Sequence, residues 1–309
     1  MKQLTGILLI AISAASFGTL AIFGRFLYAD GLDTFTMLFL RFGIAALLMT
    51  VILVLRREPI PRGKILLQLI GMGALGYVGQ SFSYLTAIKY ASAGLVALLL
   101  YLYPMIVFVL SLIVLREQVT WVKFVALVLA LMGTALTVDP AGGQLRGILL
   151  AICAALIYSV YIVVGTNVMK HVSVVQSSLV IFASAGAVYG TLMGFNGLHL
   201  PASGSGWLGI AGIVLIATVI PVVTFLAGLE RIGATNAAML STLEPVVTVL
   251  LAAWIFDERL KAIVMLGGGL ILIAVILLTS GEWEKKPALK NSMIEDPDRQ
   301  RNQRNKGEL

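Results

Sequence analysis

Charge is what this sequence has least of: 12% of its 309 residues are Asp, Glu, Lys or Arg, about half the share in soluble domains. With 59% apolar residues and a mean hydropathy of +0.99, it holds more apolar surface than a water-soluble globule of this size can hide. Cysteine is almost absent too. Cys153 stands alone, which excludes an intramolecular disulfide, and its apolar setting reads as that of a small buried residue. The two histidines, His171 and His199, fall in polar connections. No His-Glu-x-x-His or Cys-x-x-Cys is present, so no metal site is expected. No glycine-rich loop runs into Lys-Ser or Lys-Thr, which speaks against ATP hydrolysis by this chain. An intramembrane hydrolase would need a nucleophile beside a base inside the apolar segments, and none is seen. No cofactor is expected.

Long hydrophobic runs are what the sequence has in abundance. A helix crossing about 30 Å of hydrocarbon takes roughly 20 apolar residues, and ten runs of about that length can be marked: 4–24, 34–55, 65–87, 93–115, 122–138, 146–167, 177–195, 207–229, 236–256 and 262–280. The first starts close to Met1 without a clear small-residue cleavage site, so it reads as a retained span. The lipid bilayer is therefore an expected partner. Ten spans put both termini on one side. With the N-terminus inside, inner loops hold Lys2, Arg56, Arg57, Arg62, Lys64, Arg116, Lys123, Lys170 and Arg231, while outer loops hold Arg25, Lys89, Arg146, Arg259 and Lys261. The excess of basic residues on the first set predicts cytoplasmic termini in the cell (inner or plasma) membrane. The net charge of +7 does not imply nucleic acid, because seven basic residues lie beyond residue 281 in a polar stretch. Residues 281–309 read as a disordered tail that touches anionic headgroups.

The two halves of the chain repeat. Gly6-Ile7-Leu8-Leu9 recurs as Gly147-Ile148-Leu149-Leu150, Gly24 as Gly165, Pro104 as Pro245 and Glu117 as Glu258, each 141 residues on. A unit of five spans is odd, so its second copy enters the membrane inverted, an architecture common in secondary carriers with a midplane solute site. The expected fold is thus an all-α integral membrane protein of ten transmembrane helices in two inverted five-helix repeats, 1–138 and 146–280, joined by the short linker 139–145. Prolines within the fourth and ninth spans, with Leu115-Arg116-Glu117 and Phe256-Asp257-Glu258-Arg259 after them, resemble the EamA family of the drug/metabolite transporter superfamily over residues 4–280. That resemblance implies a ten-helix basket around a central cavity and export of amino acids or related metabolites. A lipid-linked flippase or an accessory membrane subunit on the same scaffold is the alternative. A homodimer stays open.

Ionisable groups in hydrocarbon are costly and mark function. Glu244 is the ninth residue of its span, and Pro245 beside it leaves a carbonyl one turn earlier without its helical donor. Ser241, Glu244 and Thr248 share one helical face, read either as pathway lining or as interhelical hydrogen bonding. Glu244 suits a substrate ammonium or a coupling proton. Arg41 lies about 10 Å deep and reads either as a carboxylate anchor or as a side chain snorkelling to the headgroups. Tyr77, Gln80, Ser81 and Tyr84 form a polar stripe suited to a cavity wall. Tyr101 and Tyr103, Tyr158 and Tyr161, and Ser13, Ser16 and Phe17 are weaker wall candidates, and Pro104 and Pro245 are candidate helix breaks. Glu117 and Glu258 read as turn residues favouring the N-terminus of the next helix.

Overall fold

A computed structural model describes residues 2–87, 89–91, 93–117, 120–137, 144–197, 199–256 and 261–292. Glu258 with Asp257 and Arg259, residues 139–143 of the linker and residues 293–309 of the tail lie outside them. Every described element is helical. In chain order they are α1 Lys2–Ala29, α2 Thr34–Leu55, α3 Gly63–Ala87, α4 Leu95–Leu115, α5 Trp121–Thr137, α6 Leu145–Val168, α7 Val174–Asn196, α8 Gly204–Leu240, α9 Leu243–Phe256 and α10 Ala262–Ser292. Eight of these are long and apolar enough to cross a membrane, while α5 and α9 are shorter apolar helices. The protein is a multi-pass membrane protein. Its outer surface agrees: Trp254 is 82% and Leu208 75% exposed, a placement that water would penalise and lipid does not.

The helix starts are set by short polar side chains. Asp33 accepts from the amides of Phe35 and Thr36 at 2.8 and 3.0 Å and so caps α2, satisfying two of its orphan donors. Ser173 and Gln176 form a reciprocal capping box on α7, which starts three residues before the apolar run marked from composition; Ser-x-x-Gln is the local signal for it. α10 runs twelve residues past the expected bound at 280, so the first part of the tail continues a helix instead of leaving it.

Several helices are interrupted, and the interruptions shape the interior. α3 widens into a π-helical segment at Met72–Tyr77 and α8 does so at Leu215–Val219; such segments leave carbonyls free for other partners. α4 is broken by a turn at Tyr101-Leu102, just ahead of Pro104. α8 kinks at Gly233, whose φ of 78° only glycine adopts without strain. The Glu117 carboxylate sits against this kink, 3.1 Å from where a Cβ on Gly233 would stand. A second turn, Ser241-Thr242, separates that segment from α9.

Packing pairs α2 with α7, α5 with α10, α1 with α8 and α9, and α6 with α3 and α4. Exchanging the first five helices for the last five leaves this scheme unchanged. At the α2·α7 contact Phe42 stacks on Tyr189 at 5.8 Å and meets Phe182 at 6.2 Å. α5 and α10 cross where Gly133 and Gly267 bring backbones together, a Cβ on Gly133 falling 2.6 Å from the Gly267 carbonyl. Small residues at such crossings permit the close approach that drives helix association in lipid. Cys153 departs from expectation. It is exposed, because Ala151, Ala154 and Ala155 turn the inner face of α6 to the protein and leave Cys153 on the outer one.

Candidate functional site

Loops define two ends of the bundle. At one end Glu58 accepts from Ser173, and Gln176 donates to the Pro59 carbonyl at 2.7 Å, joining the α2–α3 and α6–α7 connections. At the other end Ser203 donates to Asp30 at 2.5 Å, His199 Nδ1 lies 3.2 Å from Asp33 and the His199 amide donates to Thr36 at 3.3 Å, joining the α1–α2 and α7–α8 connections. Burial raises the Asp33 carboxyl, but hydrogen bonds from Thr36, the Phe35 amide and His199 outweigh it and hold the group below its ordinary value. His171 sits at the first end, its Nδ1 3.0 Å from the Asn167 carbonyl.

A cavity of about 550 Å³ opens toward the second end, within the range of small-molecule sites. Its wall comes from the late part of α1 and α3, the early part of α2, α4 and α8, the end of α5, the middle of α6 and the start of α9. Arg41, Tyr77, Gln80, Ser81, Tyr84, Tyr101, Tyr103, Tyr158, Tyr161, Glu244, Pro245, Thr248 and Phe17 all line it. The tyrosines form a connected wall. Tyr77 meets Tyr161 edge-on at 5.5 Å, Tyr158 stacks on Tyr161 at 6.0 Å, and Tyr103 meets Tyr158 at 4.8 Å. The π-helical segment of α3 ends at Tyr77 and sets the register of the stripe that follows.

The floor is where the two helix breaks meet. Tyr103 follows the α4 turn, and its hydroxyl donates toward the Ala238 carbonyl ahead of the α9 turn, at 3.4 Å. Ser159 donates to the Tyr103 carbonyl at 3.2 Å. Below this level Gly165 of α6 faces Leu229 of α8, and the core closes.

Glu244 sits in the first turn of α9, not midway along a continuous span, so the carboxylate stands at the positive end of a half-helix. It faces the cavity, and no donor among the described residues reaches it. Thr248 donates to the carbonyls of Glu244 and Gly18 at 3.0 and 3.2 Å. Ser241 does not join this wall: it belongs to the turn, buried, its hydroxyl spent on the Ala237 carbonyl at 2.9 Å. Ser13 is likewise spent on the Pro221 carbonyl at 2.8 Å, and Ser16 is not part of the lining.

Arg41 does not snorkel. It is 5% exposed, its guanidinium lies 4.9 Å over the Phe42 ring, and it turns toward α8. Nε donates to Thr218 Oγ1 at 2.5 Å and Nη2 to the Ala217 carbonyl at 3.1 Å. That carbonyl is free because Pro221, four residues on, has no N–H. Arg41 and Glu244 do not form an ion pair. Thr218 escaped the sequence reading, although Ala217-Thr218-Val219-Ile220-Pro221 carried a signal: a lone hydroxyl and a proline-freed carbonyl side by side in an apolar run.

The comparisons with known proteins agree with this picture. The EamA-like transporter family matches residues 4–139 and again 145–280, the second match displaced from the first by 141 residues at both bounds. An uncharacterized transporter of Archaeoglobus fulgidus is 29% identical over 270 residues, covering 87% of this chain and 94% of that protein. The uncharacterized transporter YcbK of Bacillus subtilis is 24% identical over 284 residues, covering 87% and 91%. A solved crystal structure superposes with a TM-score of 0.77 at 21% identity, over 90% of this chain and 97% of that one; the likeness is one of fold.

Proposed function

Because the chain belongs to the EamA-like transporter family, we propose that it is a ten-span secondary carrier that exports amino acids or related small zwitterionic metabolites by alternating access. The observation that carries this reading is one cavity holding an unpaired carboxylate, Glu244, and a buried guanidinium, Arg41, among tyrosines. Two opposite charges fixed in low dielectric suit a solute that brings both. Its ammonium meets Glu244, its carboxylate meets Arg41, and the filled site stays neutral where a lone ion would leave charge uncompensated in the membrane. Tyr77, Tyr84, Tyr101, Tyr158 and Tyr161 enclose the solute's apolar body, and Gln80 adds a polar contact.

The inverted repeat supports the transport mode. The 141-residue recurrence, the doubled family match and packing that survives exchange of the halves fit two related units that rock about a midplane site. With cytoplasmic termini, the cavity faces outward and its floor at Tyr103 and Ala238 is the inner seal. Opening inward parts this seal and closes the mouth around Arg25 and Tyr28. The test is uptake and efflux of a radiolabelled amino-acid panel in liposomes of purified protein, with and without a pH gradient. Saturable flux of at least one amino acid is expected. Folded protein that moves none of the panel overturns the reading, and terminal tags on opposite faces of the membrane overturn the topology.

A further inference from the structure

Arg41 carries five N–H donors, and two are spent inside the protein. Both go to a single place, the π-helical segment of α8, where Thr218 Oγ1 and the Ala217 carbonyl take Nε and one Nη2 hydrogen. The bookkeeping of protons fixes the roles. Thr218 has one hydroxyl proton and gives it to the Ile213 carbonyl at 2.7 Å, five residues back, so toward Arg41 it acts as an acceptor. Thr218 is fully buried and does not line the cavity. Arg41 does, and its Nη1 hydrogens together with the second on Nη2 remain for a ligand. Phe42 packs against the guanidinium and, itself fully buried, restricts its swing.

We propose that Thr218 is a positioning residue for solute recognition: by holding Nε of Arg41 against α8 it aims the Nη groups at the carboxylate of the solute, so that it governs selectivity for carboxylate-bearing solutes without touching them. This rests on the reading of the cavity as an amino-acid site. An arginine fixed at Nε presents a planar fork that matches a carboxylate bidentately. Without the Thr218 acceptor, the fork must be ordered by the solute itself, which weakens binding.

The experiment compares solutes that differ only in the carboxylate, L-leucine with 3-methylbutylamine and L-phenylalanine with phenethylamine, in proteoliposome uptake by wild type, Thr218→Val and Thr218→Ser. Thr218→Val keeps the shape and loses the acceptor. It is expected to raise KM for the amino acids roughly tenfold, the scale of one charge-assisted hydrogen bond, with kcat nearly unchanged and with KM for the amines within about twofold of wild type. Thr218→Ser restores amino-acid KM. Equal losses for amino acids and amines, or no loss for either, overturn the positioning role. If Thr218→Val does not fold, Thr218→Ser against Thr218→Ala decides by the same ratio. If wild type moves neither pair, the amino acid of the panel that it does move and the corresponding decarboxylated amine take their place; if it moves none of the panel, the amino-acid reading itself falls, and this inference with it.

Discussion

Glu244→Gln keeps the size of the side chain and removes its charge, and the structure sets what that costs. No hydrogen-bond donor among the described residues reaches the carboxylate, so folding is little disturbed and the effect falls on the solute. A charge-assisted contact to a solute ammonium exceeds its neutral counterpart by about 1–2 kcal/mol. Two unit charges 4 Å apart at an effective dielectric of 20 attract by about 4 kcal/mol, an upper bound. The positive end of α9 beneath Glu244 cancels part of that attraction, since a helix N-terminus carries about half a charge. An increment of about 2 kcal/mol results, a rise of roughly thirtyfold in the KM of amine-bearing solutes. The assay is concentration-dependent uptake in proteoliposomes, with thermal unfolding in detergent as the control for folding. Wild-type KM in a folded Glu244→Gln protein would refute the ammonium contact, and loss of thermal stability instead would show the residue to be structural.

Gly133→Ala forces the α5·α10 crossing apart, because the new Cβ meets the Gly267 carbonyl at 2.6 Å and Ile271 Cγ1 at 2.8 Å; overpacking of this kind costs about 1–3 kcal/mol, read as a lowered Tm, while Gly24→Ala, which meets nothing within 4 Å, leaves Tm unchanged. Gly233→Ala must adopt a φ of 78° with an extended ψ of 174°, a region left almost wholly to glycine, at a cost of about 1–3 kcal/mol, and is expected to lower Tm as well; an unchanged Tm would show that the kink is not rigid. Asp33 stabilises its end of the bundle above the ordinary aspartate value of about 3.9, since its folded pKa is depressed. That contribution is lost as pH falls through the folded value, so the Tm difference between wild type and Asp33→Asn narrows only at acid pH; a gap that persists there would refute the linkage. In a Cys153→Ser background, a cysteine at Ala97, in the cavity wall, reacts with a membrane-impermeant maleimide from the outer face, whereas one at the fully buried Ala237 does not; reaction at both would deny a sealed floor.

Much of the helical order was legible in the sequence, because the need for about 20 apolar residues per crossing is a local condition. Where the reading slipped, the missing information was of two kinds. The start of α7 and the freed carbonyl of Ala217 carry local signals, Ser-x-x-Gln and a proline four residues on, that hydropathy does not register. The exposure of Cys153 was different: in a bilayer the lipid-facing side of a helix is as apolar as its packed side, so hydropathy cannot say which way a residue turns. Polar side chains break that symmetry, and the stripe of Tyr77, Gln80, Ser81 and Tyr84 on α3 lines the cavity.

By itself the sequence determined that this chain lives in lipid, that its pattern recurs after 141 residues, and that Glu244 and Arg41 are the charges whose burial needs a reason. Only the tertiary structure decided that Thr218 answers Arg41 while Glu244 faces the cavity. Arg41 finds Thr218 across 177 positions, Tyr103 reaches Ala238 across 135, and Thr248 meets Gly18 across 230. Each of these contacts joins positions too far apart in the chain for a local pattern to pair them, and they exist only once the breaks at Leu102, Gly233 and Thr242 have brought polar atoms from distant segments to one depth.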